Sequence, residues 1–471
     1  MRIEANQIKK ILIIRPDAIG DCVLITPAIS LVREKFPNSH IAVLCSPYTK
    51  GVFINNPDIN EIIEDTKKIR LYRFIQRKKF DLSVHFYNEF HYALLAKLAK
   101  IKYRLGDISK PLLIPFYNIR GNCRWNDLTL HETERNILLL SPLEISPRLF
   151  TGKPEINPDF LIGVNNLPQN PVSLKIKPNY ELRSKFEQEY QLKPDDFVVG
   201  IHIGTGKGNK AWLPDRYAKV IDYLIENKKS KIILTGSKKD LSSSQKIIQL
   251  CKNKLINLVN KTNLEELIAI TSRYNLYIGV DTGPLHIAAA LKIPTVAIFP
   301  TKFVKPTEWG PWATTNVIIR KSTNCSQKCL PKACPFEDCL KAISVEDVIA
   351  GIKTLMENRG NKTIPESKAD WLKKSINVFT NRQEIIRELS VAGYHAVEIG
   401  MAASPIKLMK QMIKEDINII HWVGVHCPTA LKIARFLATP YLPIPPMLLH
   451  EKEQKDFSVK ILINNYIRSS Q

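Results

Sequence analysis

Asn275 to Phe299 reads NLYIGVDTGPLHIAAALKIPTVAIF. A β-rich run ends at Asp281, Thr282 and Gly283 form a turn, and Pro284 suits the start of a helix because its missing N–H has no partner there anyway. His286 falls in the first turn of that helix, and a second β-rich run, TVAIF, follows it. Strand, helix and strand at this spacing imply two parallel strands joined by a right-handed crossover, the unit of a doubly wound α/β sheet.

Working outward, FVVGIH and KIILTG precede this unit and complete one α/β half. A helix from Ser344 to Met356 closes it, with Ser344 as N-cap and Glu346 in the first turn. The same rhythm occurs earlier, in ILIIR from Ile11, a helix through Ala28 to Lys35, then IAVLC, EIIED and DLSVHF. A less regular stretch, 149–179, rich in Pro and Asn, separates the halves. The expected division is 8–165, 180–357, a polar linker at 358–375, and an appended incomplete α/β unit at 376–471. In that last unit His421, Trp422 and His426 mark a weak second cleft edge.

Three loops carry residues suited to chemistry. Arg15–Asp21, RPDAIGD, follows the first strand and opens a helix. Loops at the carboxyl ends of parallel strands face the crevice. There Gly20 would allow a tight turn and Asp21 could take a proton from an acceptor hydroxyl. The plain alternative is that Asp21 only caps the helix. Gly200–Trp212, GIHIGTGKGNKAW, places Gly204, Gly206 and Gly208 where backbone amides can approach an anion, with Thr205, Lys207 and Lys210 as further donors. It fits neither the Walker nor the G-x-G-x-x-G spacing, which argues against NTP hydrolysis and nicotinamide chemistry, and it could also be a solvated turn. The turn at Asp281–Gly283 leads to a helix start that attracts anions, so a departing diphosphate would be stabilised there, with His286 donating to it. Alternatively Asp281 caps the helix and His286 packs locally.

These three stretches, ILIIRPDAIGD, the Gly200–Trp212 segment and GVDTGPLHIAAALKIPTVAIF, resemble in order and spacing the heptosyltransferase-like glycosyltransferases, glycosyltransferase family 9, across residues 9 to 357. The resemblance implies a GT-B fold: two Rossmann-like domains facing a cleft, the first for the acceptor and the second for a nucleotide sugar. It also implies inverting transfer of a sugar, a heptose from ADP-heptose being the expected case, onto lipopolysaccharide core or a related anionic glycolipid or polysaccharide. No metal or other cofactor is implied. Asp21 matches the family's proposed base, Thr205 and Lys210 its phosphate contacts, and Asp281, Thr282, Gly283 and His286 its donor-binding turn. Two departures stand in the Gly-rich segment: an extra residue between His202 and Trp212, and Gly204 where a hydroxyl residue often occurs. The alternative from another class is a noncatalytic nucleotide-sugar or anionic-polymer binding protein.

Composition sets the outer limits. The chain has 471 residues, 44% hydrophobic and 24% charged, with a net charge of +23 and a pI near 9.5, so anionic partners are favoured. Nucleic acid is not expected, because the basic residues are not interleaved with aromatics in a recognition module. Charged residues break every apolar run short of a membrane span, and Lys9-Lys10 before ILII imitates a signal without a convincing cleavage site. The expectation is a cytoplasmic protein, peripheral at the inner face of the cytoplasmic membrane. Nine cysteines in such a chain are expected to be reduced. Cys325, Cys329, Cys334 and Cys339 could hold a structural zinc, but their spacing is looser than paired zinc knuckles, and structural thiols are the simpler expectation.

Overall fold

A computed structural model describes residues 4–66, 69–125, 127, 130–145, 161–163, 173–205, 211–299, 304–321, 323 and 338–357, with four strands at 377–380, 395–398, 419–423 and 441–444. Lys210, Cys325, Cys329, Cys334 and His426 lie outside these residues, as does the expected linker.

The first half contains β1 (Lys10–Ile14), β2 (His40–Cys45), β3 (Glu61–Glu64), β4 (Leu82–His85), β5 (Tyr103–Asp107) and β6 (Ile119–Gly121). Its helices are α1 (Ile19–Leu24), α2 (Thr26–Lys35), α3 (Ile69–Lys78), α4 (Phe90–Leu98) and α5 (Glu132–Leu139). The strands are parallel in the order β3-β2-β1-β4-β5-β6. Ile11, Leu12, Ile13 and Ile14 are wholly buried, as a central parallel strand covered on both faces requires.

The second half contains β7 (Leu161–Gly163), β8 (Val198–His202), β9 (Lys231–Thr235), β10 (Ile256–Asn257), β11 (Leu276–Val280), β12 (Thr295–Ile298) and β13 (Asn316–Ile319). Its helices are α6 (Tyr180–Glu189), α7 (Pro214–Lys228), α8 (Leu241–Leu250), α9 (Leu264–Thr271), α10 (Gly283–Ala290), α11 (Pro306–Trp309), α12 (Asp338–Ala342) and α13 (Val345–Glu357). The order β10-β9-β8-β11-β12-β13-β7 repeats that of the first half, with β7 added antiparallel at the edge. Ser344 and Asp347 cap α13 reciprocally, Ser344 N donating to Asp347 Oδ2 at 2.8 Å and Asp347 N to Ser344 Oγ at 3.2 Å. Trp212, at the end of the Gly-rich segment, is buried and donates from Nε1 to Ile343 O at 3.0 Å. It pins the chain entering α7 to the chain entering α13.

Both halves belong to one compact unit. They share a core in which Ile19, Ile25 and Ile29 of the first half pack in one cluster with Ile268, Ile287 and Ala289 of the second. Polar contacts add to it: Lys175 Nζ lies 2.6 Å from Asp58 Oδ2, and Arg135 Nη2 lies 3.1 Å from Glu308 Oε1. The four strands after residue 376 belong to a second unit: β14 (Asn377–Thr380), β15 (His395–Glu398), β16 (Ile419–Val423, which holds His421 and Trp422) and β17 (Tyr441–Ile444). They form a parallel sheet in the order β15-β14-β16-β17. Among the described residues no helix is long and apolar enough to cross a membrane.

Candidate functional site

In each sheet the strand order reverses near the centre, between β1 and β4 and between β8 and β11. Ligands of doubly wound sheets bind at such reversals, outside the carboxyl ends of the strands. Ile14 stands opposite His85 and Gly279 opposite His202. The loops after β1 and β4 therefore leave one sheet edge side by side, and those after β8 and β11 leave the other. All three sequence-selected stretches fall on these loops.

α1 and α10 bring the two edges together. A Cβ built on Gly20 would lie 2.8 Å from His286 Cδ2, and one on Gly283 would lie 2.7 Å from Ile19 Cβ. The helices touch at their first turns because both contact positions lack side chains. Gly20 is helical, within α1, so its use is this close approach and not the tight turn expected from the sequence. Asp21, the next residue, sits in the first turn of α1, beside the start of α10.

Neither carboxylate is a helix cap. Ala18 and Thr282 are the N-cap residues of α1 and α10, and neither helix has a capping side chain. The first-turn amides of α10 thus remain without side-chain acceptors, which together with the helix dipole favours an anion. Asp281 Oδ1 lies 4.0 Å from His286 Nε2. Burial first, and then the Asp21 charge, pushes the Asp281 carboxyl up to about 7. Burial holds His286 down to about 4 against the opposing pull of Asp21, so its imidazole is neutral at pH 7. His286 Nδ1 is buried without a hydrogen-bond partner, an orphan that a ligand would satisfy.

Asp21 turns instead to Arg15, whose Nη2 donates to Asp21 Oδ1 at 2.5 Å. The buried guanidinium also places Nε 2.8 Å from Asp17 Oδ1, Nη2 3.7 Å from Glu132 Oε1, and Nη1 2.5 Å from Phe86 O. Burial works against the Arg15 charge, but Asp17, Asp21 and Glu132 outweigh it and raise its pKa. Burial in turn raises Asp17 and lifts Glu132 to about 7. Beside Glu132, His131 caps α5 through Nδ1, which accepts from Thr133 N at 3.1 Å, while Nε2 faces Gly310 O at 2.9 Å. A carbonyl acceptor requires Nε2 to carry the proton, so His131 is the neutral Nε2–H tautomer. Sequence reading missed Arg15, Asp17, Glu132 and His131 as site members. The available signal was a charged Arg–Pro–Asp directly after four apolar residues; Glu132 had none.

Thr205 lies in the loop after β8, half-buried, on the same sheet edge as Asp281. Gly204 is needed for packing, because a Cβ there would meet Asp240 Oδ2 and His202 Nε2, each at 2.8 Å. Cys339 is the second residue of the short α12. Among the described residues no group of His, Cys, Asp and Glu could hold a metal ion.

The sequence profile of glycosyltransferase family 9 (heptosyltransferase) matches residues 68–340. Lipooligosaccharide heptosyltransferase 2 of Campylobacter jejuni is 28% identical over 362 residues, covering 74% of this chain and 99% of that protein. Lipopolysaccharide heptosyltransferase 3 of Escherichia coli K12 is 26% identical over 361 residues, covering 72% and 95%. Among solved structures, the family 9 glycosyl transferase from Veillonella parvula superposes with a TM-score of 0.61 at 24% identity, covering 74% of this chain and 97% of that one. The E. coli ADP-heptose lps heptosyltransferase II gives 0.59 at 20% identity, covering 75% and 100%. The likeness fixes the fold as GT-B.

Proposed function

The chain belongs to glycosyltransferase family 9, the heptosyltransferase family, and from that premise we propose that it moves a heptose from ADP-heptose onto a lipopolysaccharide core or related anionic glycolipid, with inversion. The relatives named lipooligosaccharide and lipopolysaccharide heptosyltransferases support the sugar and the acceptor. The observation that carries the reading is the contact of Gly20 with His286, which sets the Asp21 carboxylate beside the open amides of α10.

In this reading the donor diphosphate rests on the first turn of α10, with Thr282 and Gly283 presenting backbone N–H groups and His286 a neutral side chain. Charge develops on the diphosphate as the anomeric bond breaks, and the helix start stabilises it without reorganising. Asp281, neutral through much of the range below pH 7 because of its burial, sits near the phosphates with little repulsion. Thr205, and Lys210 outside the described residues, supply further phosphate contacts. Asp21, oriented by Arg15, accepts the proton of the attacking acceptor hydroxyl from the face opposite the leaving group. The proposed acceptor half is 8–165 without β7, which pairs with β13 in the second sheet, and the donor half is 180–357. The protein is proposed to work in the cytoplasm, peripherally at the inner membrane face.

Asp21→Asn tests the reading. Turnover is expected to fall by about 10²–10⁴-fold, the usual worth of a general base, while calorimetry with ADP-heptose shows unchanged donor affinity. Equal turnover in variant and parent would remove Asp21 from the mechanism. A thermal-shift panel of nucleotide sugars decides the donor: selective stabilisation by ADP-heptose is expected.

A further inference from the structure

We propose that the turn of helix at Pro111–Phe116, together with the outer end of α4, is the surface by which the protein sits on an anionic lipid bilayer. Leu112 enters the interface and the surrounding lysines meet the headgroups. Leu112 is 86% exposed and Phe90, at the start of α4, is 54% exposed. The Phe90 and Phe116 rings meet edge to face with centroids 5.2 Å apart, and Lys97 Nζ lies 5.0 Å over the Phe116 ring. Lys110 reaches back to the chain before α4, 2.7 Å from both Asn88 O and Glu89 Oε1. Aromatic and aliphatic side chains and cations thus occupy one knuckle.

The charge around it is mostly positive, Glu89, paired with Lys110, being the acidic side chain at its border. Between residues 90 and 125 six basic side chains are exposed (Lys97, Lys100, Lys102, Lys110, Arg120 and Arg124), and no acidic one is. The carboxylate in that stretch, Asp107, is buried, accepting from Cys123 N at 3.0 Å and Trp125 Nε1 at 2.7 Å. A single exposed leucine is ordinary, but an apolar prominence flanked by cations, here Lys97 and Lys110, is what an interfacial element on anionic lipid needs. A second copy of the chain would bring the same positive charge and be repelled. A phosphate polymer would satisfy the lysines and leave Leu112 in water. The loop from β4 to α4 links this surface to the candidate site, since Arg15 Nη1 donates to Phe86 O within it. The inference deepens the functional reading by naming the face that meets a lipid-borne acceptor, and for that step alone it rests on it.

Cosedimentation of the full chain with vesicles of phosphatidylglycerol and phosphatidylcholine, against phosphatidylcholine alone, tests the proposal. Binding is expected only with the anionic lipid. Leu112→Glu should lower the partition coefficient by about tenfold or more, as expected when one leucine no longer enters hydrocarbon, and Lys97→Glu by about fivefold or more. ADP-heptose affinity should be unchanged in both variants, which shows that they are folded. Equal binding to both vesicle types, binding unaffected by the two substitutions, or no binding by the parent would overturn the proposal. So would a lipid-free dimer that Leu112→Glu dissociates, which would assign the surface to a second copy. Transfer onto a water-soluble acceptor, assayed on the same preparations, reports on the transferase reading separately.

Discussion

Arg15 is the residue on which the acidic side of the site is organised. A buried guanidinium would be costly alone, yet here three carboxylates and a carbonyl surround it. The cost falls on the carboxylates. Glu132, buried and 3.7 Å from both Arg15 and Arg135, has its pKa lifted to about 7 by burial. Its folded-state pKa lies above the unfolded value, so the folded protein binds more protons between the two. Stability is therefore fullest below the unfolded pKa and declines as pH rises through about 7. Glu132→Gln keeps the neutral form at every pH, and both arginines keep other partners, Asp17 and Asp21 for Arg15 and Glu308 for Arg135. Urea unfolding across pH should show variant and parent nearly equal at low pH. The variant should pull ahead toward pH 8, by an amount on the order of 3 kcal/mol at most. A constant deficit at all pH values would instead mean that charged Glu132 supports the fold.

At the scale of elements, the crossing of α1 and α10 joins the acceptor-side and donor-side loops. Gly20→Ala improves helix propensity by about 1 kcal/mol, but its methyl would lie 2.8 Å from His286 Cδ2, and His286 is itself buried. Overpacking at about 1–3 kcal/mol wins, so a net loss of stability and weaker ADP-heptose binding are expected by thermal unfolding and calorimetry. Unchanged values would show that the crossing yields readily to an added methyl. The strands and the three loops were legible in the sequence because each is a local pattern: an apolar run, then a turn, then a helix start. The reason for Gly20 was not, since its neighbour His286 is remote in the chain. The link between Arg15 and Glu132 was equally hidden, because nothing near Glu132 in sequence requires a buried cation. Gly204 was legible as a glycine, but its packing against Asp240 and His202 shows up only when β8 and the turn after β9 are side by side.

For the whole molecule, the repeated strand order explains why one chain can carry two different half-sites. Each sheet reverses at its own centre, and the shared core holds the two reversals in register. That logic is complete by the end of α13. The family relatives point the same way, since about three-quarters of this chain (74%) matches 99% of the C. jejuni protein. The remaining residues add a parallel sheet of their own in a separate compact unit. The rhythm of that sheet was legible in the sequence, whereas its purpose was not, because no residue in it matches the loops that carry the chemistry. A chain ending at residue 361, the limit of the first unit, should therefore unfold in a single cooperative transition and bind ADP-heptose as tightly as the full chain does. Loss of the transition or of donor binding on truncation would mean that the core described here does not close without the appended unit, and that the two units must be treated as one folding domain.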